Sequence, residues 1–192
     1  MSAPERDFVT VVSGVPRSGT SLLMQMLAAG GIDPWTDRVR RPDADNPRGY
    51  FEYEAVKRLP EAADWVSRAR GSAVKVIHLL VPRLPTSCAY RLVLVRRDWG
   101  EVLASQAAML ERAGGSAADL PSDRLIAVFE RQLEDVTRWA ARHEVALLEL
   151  GHRDVLSAPA ASAATLDTFL GGGLDRDEMS GAVDRTLHRQ KV

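Results

Sequence analysis

The 192-residue chain is 45% apolar and 27% charged, a composition that suits one soluble globular domain with a sizeable core. Its 25 basic and 26 acidic residues leave a formal net charge of −1, which argues against a nucleic-acid binder held by a global basic field and leaves room for a local anion site. The lone cysteine, Cys88, excludes an internal disulfide, and no apolar run approaches the roughly 18 residues of a membrane span. The N-terminal segment runs straight into a strand-like stretch and does not read as a signal peptide, so the expected compartment is the cytoplasm.

In chain order, the first predicted strand is 8–13 (FVTVVS), followed by a helix over 19–30 with Leu22, Leu23, Met26 and Leu27 at helical spacing. Residues 31–50 have no periodicity, are rich in Pro, Asp and Arg, and predict a long loop of the kind that often carries function. A helix is expected over 54–70, with Pro60 as a break point. Short apolar runs at 73–77 (AVKVI), 91–95 (RLVLV) and 145–150 (VALLEL) read as buried parallel strands. Between them, 100–112 is amphipathic, and 122–142 carries Leu125, Phe129, Leu133, Val136 and Ala140 on one stripe. The Ala-rich stretch 157–165 opens a helix that ends at the three glycines 171–173, and a last helix is expected over 175–189. Strands alternating with helices predict an α/β fold: a single three-layer α/β/α domain over 1–192, with a parallel sheet of at least four strands. One bias stands out. Lys57, Lys75 and Lys191 are the only lysines, against 22 arginines, and Lys75 falls inside a predicted strand.

The strongest motif follows the first strand: Gly14-Val15-Pro16-Arg17-Ser18-Gly19-Thr20-Ser21, leading into a helix. The spacing G-x-x-x-x-G-x-S in a strand–loop–helix context is that of a phosphate-cradling P-loop, whose glycines let backbone amides and the helix N-terminus surround an anion. An NTPase would carry Lys where this chain has Thr20; here the cation comes earlier, at Arg17. The second motif follows the predicted strand 91–95. Arg97 stands at a strand end, where open α/β sheets bind ligands, and Ser105 lies eight residues on, about two turns into the next helix. Together they can offer a guanidinium fork and a hydroxyl to one phosphate. Arg96 leaves a register alternative, with either arginine as the ligand.

The string VPRSGTS resembles the 5′-phosphosulfate loop of sulfotransferases that use 3′-phosphoadenosine 5′-phosphosulfate (PAPS). The Arg97–Ser105 pair is similar to their 3′-phosphate site. Asn46-Pro47-Arg48-Gly49-Tyr50-Phe51-Glu52 resembles a stretch of bacterial members of that family. Two departures are Leu22, where many cytosolic members have Trp, and Trp99, where the family has Pro. The resemblance implies a P-loop fold and sulfuryl transfer from PAPS to a hydroxyl or amine of a small-molecule acceptor, with no metal, no nucleic acid and no membrane partner. It implies that Arg17, Ser18, Gly19, Thr20 and Ser21 hold the 5′-phosphosulfate and Arg97 and Ser105 the 3′-phosphate.

Two residues compete for the general base. His78, followed seven residues later by Pro85, matches the family's catalytic His, and an imidazole titrates in the right range. Glu52, in the loop stretch, matches a carboxylate base used by some members. Lys75 or Arg17 would stabilise the leaving oxygen. Lys75 lies three residues before His78 rather than the family's two, which puts it on the opposite strand face unless the strand ends first. Asp43 and Asp45 read as solvated loop charges. Arg185 and Arg189 are either surface charges or C-terminal contacts to the 3′-phosphate. Loops 31–52 and 113–121 are expected to shape the acceptor pocket. The alternatives are a P-loop kinase and a non-catalytic P-loop nucleotide-binding protein. The acceptor and the oligomeric state are not legible from these residues.

Overall fold

The structure, a computed structural model, describes residues 6–37, 39–40, 43, 49–59, 61–112, 114 and 122–184. Four strands form one sheet: β1 (Val9–Ser13), β2 (Ala73–Lys75), β3 (Tyr90–Arg96) and β4 (Ala146–Gly151), in the order β2-β1-β3-β4. Every pairing is parallel, with Val11 opposite Val74 on one side and Leu92 on the other. All five residues of β1 are buried, as a central strand covered on both faces requires.

Alternation along the strands divides the core into two layers. Val11, Val74, Leu92 and Leu94 face Val102 of α2 (Trp99–Arg112) and Leu133, Val136 and Trp139 of α3 (Ser122–Arg142). Val12, Val93 and Val95 face the other layer. It is built from Leu23, Met26 and Leu27 of α1 (Thr20–Ala29), Val155 of α4 (His152–Ser157), Leu166 of α5 (Pro159–Phe169) and Met179 of α6 (Arg176–Gly181). This is the three-layer arrangement that the alternating pattern predicts.

Two expectations are corrected. Instead of a helix over 54–70 there are two short 3₁₀ turns, Glu54–Arg58 and Val66–Ala69. Proline at position 60 has no N–H to offer a helical ladder; the Glu61 and Ala62 amides both donate to the Arg58 carbonyl (2.9 and 2.8 Å). β2 stops at Lys75 rather than running to 77: Val76 donates a last bond to the Val12 carbonyl (3.0 Å), and the chain turns into the 3₁₀ turn His78–Arg83. The Ala-rich stretch does open a helix: α5 starts on Pro159 and ends at Phe169, before the glycines 171–173, with α4 ending just ahead of it at Ser157. The last helix is seen only as α6, capped by Asp175, whose side chain accepts from the Asp177 and Glu178 amides; residues 185–189 lie outside the described residues.

The strand order places the functional end. From β1 the chain crosses to β2 on one side, then returns past β1 to β3 and continues outward to β4. The direction of winding reverses between β1 and β3, and in open parallel sheets the crevice beyond their carboxyl ends is where ligands bind. The loop after Ser13 and the residues after Arg96 meet there.

Leu94, fully buried at the centre of β3, tests this core: Leu94→Ala should lower the unfolding free energy by about 2–5 kcal/mol in urea titration. A loss well under 1 kcal/mol would contradict its place between the layers.

Candidate active site

A cavity of about 600 Å³ opens at this carboxyl end. Among the described residues, six cationic side chains line it, Arg17, Arg40, Lys57, Lys75, Arg97 and Arg112, against the carboxylates of Glu52 and Asp184. In a chain of net charge −1, that concentration marks a local anion site. Tyr50, Tyr53, Val56, Ile77, Leu80 and Met109 supply an apolar wall.

The loop between β1 and α1 is held from several sides. Arg17 sits at φ 73° and Gly19 at φ 106°, the left-handed region that glycine adopts without strain. A Cβ on Gly14 would meet Ser18 Oγ at 2.4 Å and the Val95 carbonyl at 2.9 Å, and one on Gly19 would strike the His152 ring at 2.4 Å. Both spacings therefore require glycine. Gln106 donates to the Pro16 carbonyl (3.1 Å) and Arg97 Nη1 to the Arg17 carbonyl (3.0 Å), so α2 and the end of β3 brace the loop. Arg17 Nε donates to Ser105 Oγ (2.9 Å). Gly19, Thr20 and Ser21 line the cavity, at the helix end whose first amides lack intrahelical acceptors. Ser18 does not: its amide donates to the Val15 carbonyl (3.1 Å), and its side chain is buried under the loop.

The two arginines at the end of β3 point different ways. Arg97 lines the cavity and is only 10% exposed, whereas Arg96 points to β4 and pairs with Glu149 at 2.9 Å. Ser105, buried on α2, lines the cavity with Arg97.

The two base candidates part company. Glu52 lines the cavity, pairs with Arg40 at 2.8 Å and lies 3.6 Å from Lys75 Nζ. His78 is absent from the cavity wall. It is buried among the core residues, its Nε2 sits 2.7 Å from Gln132 Oε1 of α3, and its ring meets Phe129 edge-on. Burial is the main cause that pushes its pKa down, partly offset by the Gln132 contact. Lys75, whose spacing from His78 departs from the family pattern, is the one of the two that lines the cavity. Because β2 ends at Lys75, that side chain turns into the cavity, where Nζ donates to the Tyr50 carbonyl (2.8 Å) and Ser21 Oγ (3.2 Å). Burial lowers the Lys75 pKa to about 8, against the opposing pull of Glu52. Asp43 accepts from the Tyr50 hydroxyl (2.8 Å); Asp45, Asn46, Pro47, Arg48, Arg185, Arg189 and most of 113–121 lie outside the described residues.

Two site residues escaped the sequence reading. Glu101 is a buried carboxylate that accepts from Arg97 Nε at 2.9 Å; the i, i+4 spacing from Arg97 was the available signal. His152 lines the cavity against Gly19, and its place directly after β4, at a strand's carboxyl end, was the clue.

The chain is an α/β protein with a cation-lined crevice at the switch point of its parallel sheet. No family model matches the chain, and no curated protein matches it in sequence. Solved structures do match, and the fold is that of sulfotransferase domains. The sulfotransferase domain from the curacin biosynthetic pathway aligns over 95% of this chain and 80% of its own, with TM-score 0.53 and 13% identity. The sulfotransferase domain from the Synechococcus PCC 7002 olefin synthase aligns over 96% and 82%, with TM-score 0.52 and 14% identity. Retinol dehydratase in complex with androsterone and inactive cofactor PAP gives TM-score 0.49 and 18% identity over 94% of this chain, which spans 64% of that one's length.

The Lys75 amine should titrate with a midpoint near pH 8, read by NMR after ¹³C reductive methylation. The unfolded chain keeps its lysine protonated to near pH 10.5 while the folded protein has released the proton. The unfolded state then binds more protons, and the stability contributed at this site rises from pH 8 to 10.5. Lys75→Met should abolish that rise; a midpoint near 10.5 would contradict the burial of this amine.

Proposed function

We propose that the chain is a sulfotransferase that moves a sulfuryl group from PAPS to a hydroxyl or amine of a small-molecule acceptor. The observation that carries the reading is the meeting of two cation-bearing elements on one cavity: the loop with Arg17, and the strand end with Arg97, joined through the 3.0 Å bond from Arg97 Nη1 to the Arg17 carbonyl. A donor with anionic groups on both the 5′ and 3′ positions of one ribose fits such a pair. The amides of Gly19, Thr20 and Ser21 and the Arg17 guanidinium would take the 5′-phosphosulfate. Arg97 and Ser105 would take the 3′-phosphate.

The catalytic assignment follows from which groups reach the cavity. Glu52 is the base that accepts the acceptor's proton. The acceptor atom then bonds to sulfur as the bond from sulfur to the bridging phosphate oxygen breaks. Lys75 and Arg17 offset the negative charge that develops on that oxygen. As with phosphoryl transfer, rate comes chiefly from alignment and charge stabilisation. The apolar wall of Tyr53, Val56, Ile77 and Leu80 suits the carbon skeleton of the acceptor. The reading treats 1–192 as one domain acting on soluble small molecules in the cytoplasm.

Turnover of ³⁵S-labelled PAPS against a panel of alcohols, phenols and amines tests this. Glu52→Gln should lower turnover by about 10²–10⁴-fold with PAP affinity nearly unchanged. His78→Ala should lower stability while turnover per folded molecule stays within a few-fold. The reverse ranking would return the base to His78, and transfer from ATP–Mg in place of PAPS would make the protein a kinase.

A further inference from the structure

We infer that Glu101 is the positioning residue of the second anion site: it fixes the plane of the Arg97 guanidinium and so sets how strongly the protein distinguishes a ligand with a 3′-phosphate from one without. The inference rests on the reading of Arg97 as the 3′-phosphate cation.

Glu101 stands in the first turn of α2, and its amide donates to Asp98 Oδ1 at 3.1 Å. The pattern Asp98-x-x-Glu101 has the spacing of a capping box, in which the glutamate side chain reaches back to the cap residue's own amide. Here the carboxylate is turned inward instead. Its side chain is 2% exposed, Oε2 accepts from Arg97 Nε at 2.9 Å, and Oε1 accepts from Arg153 Nη2 at 3.2 Å. His152 Nδ1 lies 4.0 Å away. A carboxylate this deeply buried persists only where cations and hydrogen bonds satisfy it, so the arrangement is specific to these partners.

The fork geometry shows what the contact does. Arg97 carries three guanidinium nitrogens: Nε is given to Glu101 and Nη1 to the Arg17 carbonyl at 3.0 Å. With two of its nitrogens held, the plane of the fork is set, in a side chain that lines the cavity. Arg153, on the other carboxylate oxygen, keeps Glu101 from rotating away, and its own side chain is 71% exposed and absent from the cavity wall. Without the carboxylate the Arg97 charge remains, and its direction is lost.

This separates positioning from charge. Removing a negative group beside an anion site should by charge alone favour the more highly charged ligand. PAP carries one phosphate more than AMP, so a purely electrostatic role for Glu101 predicts that E101Q raises the PAP-to-AMP affinity ratio. A merely structural role predicts equal losses for both and no change in ratio. Positioning predicts that the ratio falls.

Calorimetry with PAP and AMP at fixed ionic strength, on wild type, E101Q, R97A and the double variant, reads this directly. Wild type should prefer PAP by roughly 30- to 1000-fold. E101Q should lower that ratio by about tenfold or more, and the double variant should show no further drop below R97A alone. Thermal melts check folding; if E101Q does not fold, E101D, which keeps the charge one methylene short of Arg97, is read by the same ratio. An unchanged or increased ratio in the folded variant, with wild type still preferring PAP, overturns the positioning role alone. Equal PAP and AMP affinity in wild type overturns the functional reading on which it rests.

Discussion

A single guanidinium, that of Arg97, joins the parts of this site that come from distant stretches of sequence. One of its edges is held by Glu101 of α2 and another by the carbonyl of Arg17 in the first loop. Arg17 in turn reaches Ser105 on α2. A loop residue in the left-handed region, a strand end and a helix are thereby closed into one ring of polar contacts. The ring braces the loop whose Gly19, Thr20 and Ser21 line the cavity, and it brings two cations to the same crevice. Without it, the first loop and the second cation would be two independent surface features.

The electrostatics of the crevice follow from where the strands stop. β1, β2 and β3 end side by side, and each delivers a cation or a cation-bearing loop at that edge: Arg17 after β1, Lys75 at the end of β2, Arg97 after β3. Like charges gathered in one cavity repel, and burial alone already lowers the Lys75 pKa. Glu52, facing both Arg40 and Lys75, relieves part of that repulsion. An entering dianion would relieve the rest, which is why a cavity of this composition favours highly charged ligands over neutral ones. The same constraint explains the position of His78. Two residues past Val76, where pairing with β1 ends, the chain has turned into the 3₁₀ segment His78–Arg83, and the imidazole meets Gln132 and Phe129 of α3.

Much of this was legible in the residues. The strands and the stripe of α3 followed from hydrophobic periodicity, which burial on the two sheet faces imposes directly. Arg17 and Gly19 were singled out by loop spacing, and Arg97 and Ser105 by the family resemblance; the structure brings all four to one end of the sheet. Where the residues left the placement open, the deciding interaction was tertiary. Lys75 and not His78 lines the cavity because β2 ends two residues earlier than its apolar run, and that run carries no mark of where pairing with β1 stops. Ser18 belongs to the right motif, yet its amide is spent on Val15 inside the loop. Glu101 looked like an ordinary acid in a first helical turn; only the approach of Arg97 and Arg153 shows its role. His152 is defined by contact with Gly19, more than a hundred residues away, which no local pattern encodes.

The central claim is that this crevice holds two anionic groups placed on opposite ends of one nucleotide ribose, rather than a polyphosphate chain with its metal. Calorimetric affinities of the wild-type protein for PAP and for ATP–Mg, measured side by side at one salt concentration, test it most directly. The account predicts PAP binding tighter by about tenfold or more. ATP–Mg binding as tightly as PAP, or more tightly, would contradict it.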